Sequence, residues 1–359
     1  MTSSPKILIL YTEVAGYLLD CLNYFQQQTG GEVHIVHWPV KDEAPFDLSQ
    51  YPALHFHPRA ELDQEQLEAL YHRISPDAVF MAGWRDRGYF KLAPKVKKAG
   101  IPVICGIDNH WKGTNKQKLL CWLSPLVIHR RYTHLWIPGV FQRPYAERLG
   151  FDDAHILEGL YSANTSPFAA AHQTYLSEKS VQYPKEFLFV GRFLELKGIR
   201  EMVSAFLQIQ EEYGPTWKLK FVGAGPLRGV IPDHPQIILQ DFLQPKELPA
   251  LARTAGCLLL PSHRDAWGVA MHEFAAAGLP LIASKAVGAG PAFIEVGKNG
   301  YLTEPGDAQS LYQAMASIVQ KTDAELLAMG ARSHELSQQI GPDTWTATLM
   351  RALGEKATA

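Results

Sequence analysis

The chain has 359 residues, which suits two domains better than one core, and 47% of its residues are hydrophobic. A formal net charge of −2 argues against a general nucleic-acid binder. No apolar run reaches the roughly 18 residues needed to span a bilayer, and the N-terminus lacks the apolar core of a signal peptide. Four widely spaced cysteines favour reduced thiols and a cytoplasmic location.

Apolar strands and helices alternate through the first half of the chain. The pattern predicts a strand over 6–11 and a helix from Tyr17 that stops at Gly30. Further strands are predicted over 32–38, 77–82, 101–106 and 133–138, with helices over 61–74 and around the lysines of 91–98. This alternation predicts an α/β fold in which a parallel sheet carries helices on both faces.

The alternation weakens over 161–183, and we interpret this stretch as an interdomain linker. It resumes with strands over 187–190, 218–222, 236–240, 257–260 and 280–283, and with helices over 199–213 and from 246, 268, 307 and 323.

Two Rossmann-like domains follow from this pattern. We predict an N-terminal, acceptor-side domain over 1–165 and a C-terminal, nucleotide-sugar-binding domain over 166–340. A final helix over 341–359 is expected to pack back on the N-terminal domain. Two doubly wound parallel sheets that face each other across a cleft would bind a ligand in that cleft.

Basic residues follow the first strand of the second half. Gly191 permits a sharp turn just past the strand, and we expect Arg192 and Lys197 at the mouth of the cleft. An arginine fork with a lysine point charge suits a diphosphate. Two solvated surface charges are the alternative interpretation.

The stretch from Gly223 through Gly225 to Gly229 resembles a dinucleotide-binding fingerprint, and Asp241 follows at a suitable distance. Pro226 argues against that interpretation because it falls where backbone N–H groups should meet a pyrophosphate. We interpret the stretch as a tight turn that lines a nucleotide pocket.

Two acids, Asp265 and Glu273, stand eight residues apart across the start of a helix near Gly268. Asp265 precedes the helix, where free N–H groups and the positive end of the dipole gather, and Glu273 lies inside it. Such a region can present carboxylates to sugar hydroxyls and N–H groups to an anion.

The sequence around these acids resembles the retaining glycosyltransferases of family 4, also called glycosyl transferases group 1, which have the GT-B fold. The resemblance extends over about 187–307 and is centred on Pro261-Ser262, Asp265, Trp267-Gly268, Glu273, Ala275, Ala277-Gly278 and Pro280. Asp265 stands where the family usually has a glutamate, so its carboxylate reaches about one methylene less far.

The resemblance implies a site for a nucleotide-diphosphate sugar. Arg192 and Lys197 would hold the diphosphate and stabilise the leaving group. Glu273 would bind the ribose hydroxyls, and Asp265 would contact hydroxyls of the transferred sugar. Further donor contacts are implied at Gly16, Gly191, Gly223, Gly225, Phe242, Trp267, Gly268 and Val269.

Acceptor contacts are implied for the first half of the chain. His110 follows a predicted strand, at a place where relatives often have a histidine or an acid near the transferred sugar. A structural loop histidine is the alternative. Our candidates for the acceptor lining are Tyr17, Trp84, Arg85, Asp108 and His110.

No metal and no separate cofactor are expected. The sequence has no Asp-x-Asp motif, and basic side chains would supply the charge that neutralises the diphosphate. The pairs His34 with His37 and His55 with His57 are interpreted as strand or surface residues without a set of metal ligands.

The segment 112–131 joins five basic residues to an apolar run with a tryptophan. Such a segment could lie on an anionic membrane surface, so a peripheral contact at the inner face of a membrane stays open. A cleft-edge helix packed on its own domain is the alternative. We expect Pro125 to break a single long helix.

Taken together, these features predict a retaining hexosyl- or glycosyltransferase of polysaccharide biosynthesis. It would move a sugar from a nucleotide diphosphate, UDP favoured over GDP, to a glycan, lipid-linked or small-molecule acceptor. An NAD(P)-dependent oxidoreductase that uses Gly223–Gly229 and a non-catalytic nucleotide-sugar-binding protein are the alternatives. Nucleic acid is not an expected partner.

Overall fold

The computed structural model describes residues 4–12, 14–39 and 47–354. The chain divides into two compact units: an N-terminal unit of Met1–Ser162 with Pro342–Ala359, and a C-terminal unit of Ala163–Gly341. The boundaries predicted from the sequence are 165 and 340. Residues 355–359 of the predicted final helix lie outside the described residues.

The described strands are, in chain order, β1 (Lys6–Tyr11), β2 (Glu32–His37), β3 (His55–Pro58), β4 (Ala78–Ala82), β5 (Val103–Gly106), β6 (His134–Ile137), β7 (Ile156–Glu158), β8 (Glu186–Val190), β9 (Lys218–Val222), β10 (Ile237–Gln240), β11 (Cys257–Leu260), β12 (Leu281–Ser284) and β13 (Gly300–Thr303).

The described α-helices are α1 (Gly16–Thr29), α2 (Gln64–Ile74), α3 (Arg87–Lys98), α4 (Asn115–Val127), α5 (Arg143–Arg148), α6 (Thr165–Val181), α7 (Ile199–Tyr213), α8 (Val269–Ala276), α9 (Gly290–Phe293), α10 (Ala308–Val319), α11 (Asp323–Ser337) and α12 (Pro342–Gly354).

Each unit is built on one parallel sheet. The N-terminal sheet has the order β3-β2-β1-β4-β5-β6-β7, and the C-terminal sheet has the order β10-β9-β8-β11-β12-β13. In both sheets the chain winds outward from a central strand and then returns to that strand's other side. The carboxyl ends of β1 and β4, and of β8 and β11, are therefore topological switch points. The predicted doubly wound architecture is confirmed for both units.

The N-terminal sheet is buried on both faces, which explains its continuous apolar strands. Leu8 and Leu10 of β1 belong to one core cluster, while Ile7 and Ile9 belong to the cluster on the opposite face. The helix α12 packs on α1 in the second of these clusters. There Trp345 stacks on Trp136, and its indole N–H donates to the carbonyl of Leu160 at 3.2 Å.

The interpretation of 161–183 as a linker is wrong. Residues Thr165–Val181 form α6, which packs against α8 and a 3₁₀ segment over Pro245–Arg253 within the C-terminal unit. The helix has little apolar periodicity in its sequence, so tertiary packing decides its state. Lys179 is buried in this contact and donates to the carbonyl of Ala255 at 3.1 Å. Burial lowers the pKa of Lys179 to about 8.

One further prediction, that Pro125 breaks a helix, is wrong, and three short strands were not predicted. Pro125 lies inside α4 rather than breaking it, and the helix ends two residues later, at Val127. The strands β3, β7 and β13 have only 4, 3 and 4 residues, too few to give a clear apolar pattern. None of the helices in the described ranges is both long and apolar enough to cross a membrane.

Candidate functional site in the C-terminal unit

The turn after β8 is held against the segment that follows β11. Gly198 has φ of 73°, and a Cβ on it would lie 2.6 Å from the carbonyl oxygen of Pro261. The N–H of His263 donates to the carbonyl of Leu196 at 2.8 Å. Only glycine permits this approach, so Gly198 brings the neighbouring Lys197 to the end of β11.

Lys197 and Asp265 form an ion pair at this switch point. The Lys197 Nζ lies 2.5 Å from Asp265 Oδ2, and the two side chains are 17% and 15% exposed. The other carboxylate oxygen accepts the N–H of Trp267 at 3.3 Å. The backbone N–H of Asp265 donates to the carbonyl of Ala286 at 3.2 Å. The carboxylate is therefore fixed in place, with a cation beside it that remains accessible to solvent.

Gly268 begins α8 in a left-handed conformation, with φ of 92°. A Cβ there would lie 2.7 Å from a methyl of Leu260 and 2.8 Å from one of Val287. The helix has no side-chain cap at its N-terminus, and Val269 is its first residue. An uncapped helix N-terminus offers N–H groups and a partial positive charge to an anion.

Two glycines at the end of β9 pack directly on backbone. A Cβ on Gly223 would lie 2.0 Å from the carbonyl oxygen of Gly191, and one on Gly225 would lie 2.6 Å from that of Phe193. These glycines therefore close the gap between the ends of β8 and β9. Pro226–Val230 then forms a short 3₁₀ helix instead of the α-helix that a dinucleotide fingerprint requires. Asp241 forms an ion pair with Arg228 at 2.8 Å.

The remaining donor candidates lie after β8, after β10 and within α8. Arg192 is half-buried directly after Gly191, Phe242 is half-buried after β10, and Glu273 is half-buried within α8. Trp267 differs from the prediction, because its side chain is 3% exposed and packs edge-on against Phe293. The indole packs in the core, and the backbone N–H and carbonyl of Trp267 already engage Asp265 and Ala289.

One pair beside this site was missed by the sequence reasoning. His263 follows β11, and its Nε2 lies 2.8 Å from Glu201 Oε1 on α7. The side chains are 37% and 19% exposed. The position of His263 next to Ser262, at the end of β11, could have marked it as a residue beside the site. Its partner Glu201, however, is 62 residues earlier in the chain. Only the folded structure brings two such residues together.

Candidate acceptor residues in the N-terminal unit

Tyr17 and Asp108 are connected through a third residue. The rings of Tyr17 and Tyr161 meet edge-on at 5.4 Å, and the Tyr161 hydroxyl donates to Asp108 at 3.4 Å. Burial raises the pKa of Tyr17 well above its usual value, so its hydroxyl stays protonated. Gly16 is the first residue of α1 and directly precedes Tyr17. The structure therefore brings two predicted residues together around Tyr161.

His110 lies in the loop between β5 and α4. Its ring contacts Phe141 edge-on at 5.8 Å between centroids. The Gln117 side chain donates to the carbonyl of His110 at 2.7 Å and accepts from the N–H of Lys112 at 2.8 Å. The first turn of α4 thus fixes the loop that carries His110.

Trp84 and Arg85 follow the neighbouring strand β4. Trp84 is partly buried against the core, and Arg85 is exposed. The adjacent Asp86 has a structural role. It caps α3 by accepting from the N–H of Gly88 at 2.7 Å, and it pairs with Arg59 at 3.1 Å.

Within the described ranges, one group of side chains has the geometry to hold a metal ion. Ligand atoms of Glu32, His34 and His55 lie within 4.8 Å of one another. His34 contacts Glu32 at 2.8 Å and His57 at 3.0 Å. Burial lowers the pKa of His57 to about 4. The interpretation of His34 and His55 as residues without a ligand set is corrected, because parallel pairing places them opposite each other.

Similarity to known proteins

The fold matches solved structures across nearly the whole chain. HepE from Anabaena, in complex with UDP and glucose, covers 98% of this chain and 99% of its own, with a TM-score of 0.74 and 14% identity. Sucrose-phosphate synthase from Thermosynechococcus elongatus covers 96% and 97%, with a TM-score of 0.72 and 17% identity. The architecture is therefore that of the GT-B proteins, as predicted.

The family assignment rests on the C-terminal unit. Residues 184–321 match the family described as Glycosyl transferases group 1. The C-terminal unit, with its Lys197–Asp265 pair, therefore matches the glycosyl transferases group 1 over these residues, in agreement with the predicted family.

Curated relatives agree over a similar length. A putative colanic acid biosynthesis glycosyltransferase, WcaL of Escherichia coli, is 29% identical over 45% of this chain and 44% of its own length. A glycogen synthase of Mycobacterium tuberculosis is 30% identical over 52% of this chain and 47% of its own. The chain thus matches somewhat less than half the length of these relatives.

Proposed function

We propose that this protein transfers a sugar from a nucleotide-diphosphate donor to an acceptor with retention of anomeric configuration. The observation that carries the proposal is the Lys197–Asp265 pair, in which a cation and a fixed carboxylate meet at 2.5 Å beside the N-terminus of α8. A diphosphate requires the cation and the helix end, and a sugar hydroxyl requires the carboxylate.

When the donor binds, its diphosphate would form an ion pair with Lys197 and replace Asp265 as the partner of this lysine. Lys197 and Arg192 both follow β8, so two cations would share the charge that develops on the leaving diphosphate. A carboxylate released from its lysine can accept hydrogen bonds from hydroxyls of the sugar. The exchange of partners would couple donor binding to the orientation of Asp265.

The nucleoside would extend across the ends of β9, β10 and α8. Glu273 would bind the ribose hydroxyls, and the backbone around Phe242 would meet the base. Gly223 and Gly225 would border this surface, because their close packing joins the ends of β8 and β9. The N–H groups of Gly268 and Val269 would face the sugar or the phosphate.

The chemistry would not need an enzymic nucleophile. In the front-face displacement implied by the family, the departing diphosphate takes the acceptor's proton as the new glycosidic bond forms on the same face. Arg192 and Lys197 stabilise the diphosphate, and Asp265 holds the sugar. We expect no metal requirement because these two side chains can supply the countercharge.

The donor and acceptor classes are proposed with support from relatives. The neighbour HepE is in complex with UDP and glucose, which favours a UDP-sugar. The names of WcaL and glycogen synthase favour a growing glycan as acceptor. We assign acceptor contacts to Tyr17, Asp108 and His110, with Trp84 and Arg85 in the loop after β4.

An oxidoreductase is disfavoured by a specific observation. Gly225 leads into the 3₁₀ helix Pro226–Val230, which gives no long helix dipole to a pyrophosphate. Arg228 also engages Asp241, the acid that would have to bind a ribose.

A hydrolysis screen of nucleotide sugars without acceptor tests the proposal. We expect turnover of a UDP-sugar, and loss of about a hundredfold or more in Arg192→Ala and in Glu273→Ala. The matched controls are Arg253→Ala and Glu178→Ala, which lie in the same unit as an exposed ion pair of 2.9 Å. Equal activity in all four variants would remove the site assignment.

The stereochemical outcome is a separate experiment. Once an acceptor is found, NMR of the product gives its anomeric configuration. We expect the configuration of the donor. Inversion would contradict the retaining mechanism while leaving donor binding intact.

A further inference from the structure

The helix α4 has an inner face that fixes it to its own unit. Leu120, Cys121 and Val127 pack against the core cluster, and Ser124 is buried. The Ser124 hydroxyl donates to the carbonyl of Leu149 at 2.6 Å. The helix is therefore held in one rotational setting, which determines what its opposite face presents.

The outer face of α4 is apolar and exposed. Leu119, Trp122 and Leu126 are 56%, 76% and 63% exposed. Their spacing of three and four residues places them on one side of the helix. Isolated exposed hydrophobic residues are ordinary, but three aligned on one helix form a patch that water solvates poorly.

This apolar stripe is surrounded by cations. On the helical wheel Lys116 and Lys118 flank it on opposite sides, and Lys112 and Arg130 lie beyond its two ends. These four residues are exposed. The sequence contains no aspartate or glutamate between Asp108 and Glu147, so no acid within this stretch offsets their charge.

Arg131 is the exception among the five basic residues of this segment. Its guanidinium lies 3.8 Å from the ring centroid of Phe90 and donates to the carbonyl of Val127 at 2.6 Å. This arginine anchors the end of α4 to α3, and the other four cations remain in solvent.

We propose that α4 docks on an anionic bilayer surface, with Leu119, Trp122 and Leu126 inserted at headgroup level and the flanking cations facing lipid phosphates. Tryptophan prefers this interfacial zone, and lysines beside an apolar stripe are typical of surface-bound helices. A second copy fits the patch less well. An isologous contact would bring the same unpaired cations together, and like charges would repel.

Vesicle binding by α4 does not depend on the transfer reaction proposed above, and sedimentation with vesicles measures it directly. We expect the full chain to bind phosphatidylcholine vesicles that contain about 30% phosphatidylglycerol, and to bind pure phosphatidylcholine far less. Added salt should weaken the binding, because the electrostatic attraction is screened.

Two sets of variants separate the apolar and the charged contributions. Lys116→Glu with Lys118→Glu should lower the partition coefficient about 25-fold or more, at about fivefold for each charge removed. Trp122→Ser with Leu126→Ser should lower it about tenfold or more, and Trp122→Phe should retain binding.

Matched controls lie in the C-terminal unit. Val296→Ser removes a side chain that is 63% exposed, the same fraction as Leu126. Lys246→Glu with Lys298→Glu makes the same change in net charge at two exposed lysines. Both controls should bind vesicles like the wild type, and melting curves confirm that every variant is folded.

Three outcomes would overturn the proposal. The first is no binding to anionic vesicles by the wild type, and the second is an equal loss in the α4 variants and their controls. The third is a concentration-dependent dimer that the α4 variants dissociate while vesicle binding stays absent, which would assign the face to a second copy.

Discussion

The two units share the order of six strands, to which the N-terminal sheet adds β7, but differ in how tightly glycines pack at their strand ends. In the C-terminal unit, a Cβ on Gly223 would meet backbone at 2.0 Å. In the N-terminal unit, a Cβ on Gly83 at the end of β4 would meet its nearest atom outside the local chain at 3.8 Å. The turn after β9 is built from backbone against backbone, whereas Gly83 after β4 has space around it and Gly106 in β5 packs on the Phe80 ring.

The side chains near the strand ends of the two sheets differ in chemistry as well. The C-terminal sheet carries the Lys197–Asp265 ion pair at its carboxyl end, whereas in the N-terminal unit Tyr161, which packs on Tyr17, donates to Asp108. Close backbone packing demands glycine at fixed positions, which leaves a readable motif. The family match over 184–321 includes these closely packed glycines.

The largest effect is expected from Lys197→Ala. Transfer should fall about 10²–10³-fold, because a charge that stabilises the leaving group is lost. Steady-state kinetics with a UDP-sugar measure the change, and Lys246→Ala serves as the control. Full activity in Lys197→Ala would contradict the assignment of the leaving-group charge to this residue.

The packing difference itself is tested by two glycine substitutions. Gly223→Ala should cost about 3 kcal/mol or more, because its Cβ would overlap the carbonyl of Gly191. Gly83→Ala should cost about 1 kcal/mol, since only the positive φ of 69° opposes it. Urea unfolding followed by fluorescence gives both values. Equal costs would show that positions 223 and 83 tolerate a side chain equally well.

Acid should destabilise the C-terminal unit first. Burial lowers the pKa of His272 to about 4, and its Nδ1 accepts the N–H of Ala163 at 3.2 Å while Nε2 lies 3.1 Å from the carbonyl of Ser337. A proton on Nδ1 would break the first of these bonds. The unfolded chain binds that proton near pH 6.5, so stability is full above pH 6.5 and falls towards pH 4.

The expected loss is about 3 kcal/mol by pH 4. His57 in the N-terminal unit has a similarly lowered pKa of about 4, but it is only half-buried and solvent weakens its effect. Unfolding midpoints between pH 7 and pH 4 should therefore fall less steeply in His272→Gln than in the wild type. Identical slopes would contradict the role of His272.

The smallest effect is expected from Asp265→Glu. One added methylene should change the ratio of kcat/KM between two UDP-sugars by about tenfold, with little change in melting temperature. The variant Asp265→Asn serves as a control that keeps the length of the side chain and removes its charge. An unchanged donor ratio would place Asp265 away from the sugar.

The sequence predicted the turns around Lys197 and Asp265 better than other local features for a physical reason. Gly198 and Gly268 occupy conformations that other residues adopt only with strain, so their positions reveal the turns that hold Lys197 and Asp265. The contact between His263 and Glu201 had no such signature, because it joins side chains that are distant in sequence.

The sequence failed where tertiary contacts decide the local state. The helix α6 was interpreted as a linker, since its stability comes from packing against α8 rather than from its own apolar pattern. The edge strand β3 was missed because His55 and His57 dilute its apolar character. Because β3 was missed, the cluster of Glu32 with His34 and His55 was missed as well.

Calorimetric titration of UDP tests the central claim most directly. If Arg192 and Lys197 hold the diphosphate, the wild type should bind UDP, and Arg192→Ala and Lys197→Ala should each weaken the Kd about tenfold or more. Arg253→Ala should bind like the wild type. Equal UDP affinity in all four proteins would contradict the assignment of the diphosphate to the carboxyl ends of β8 and β11.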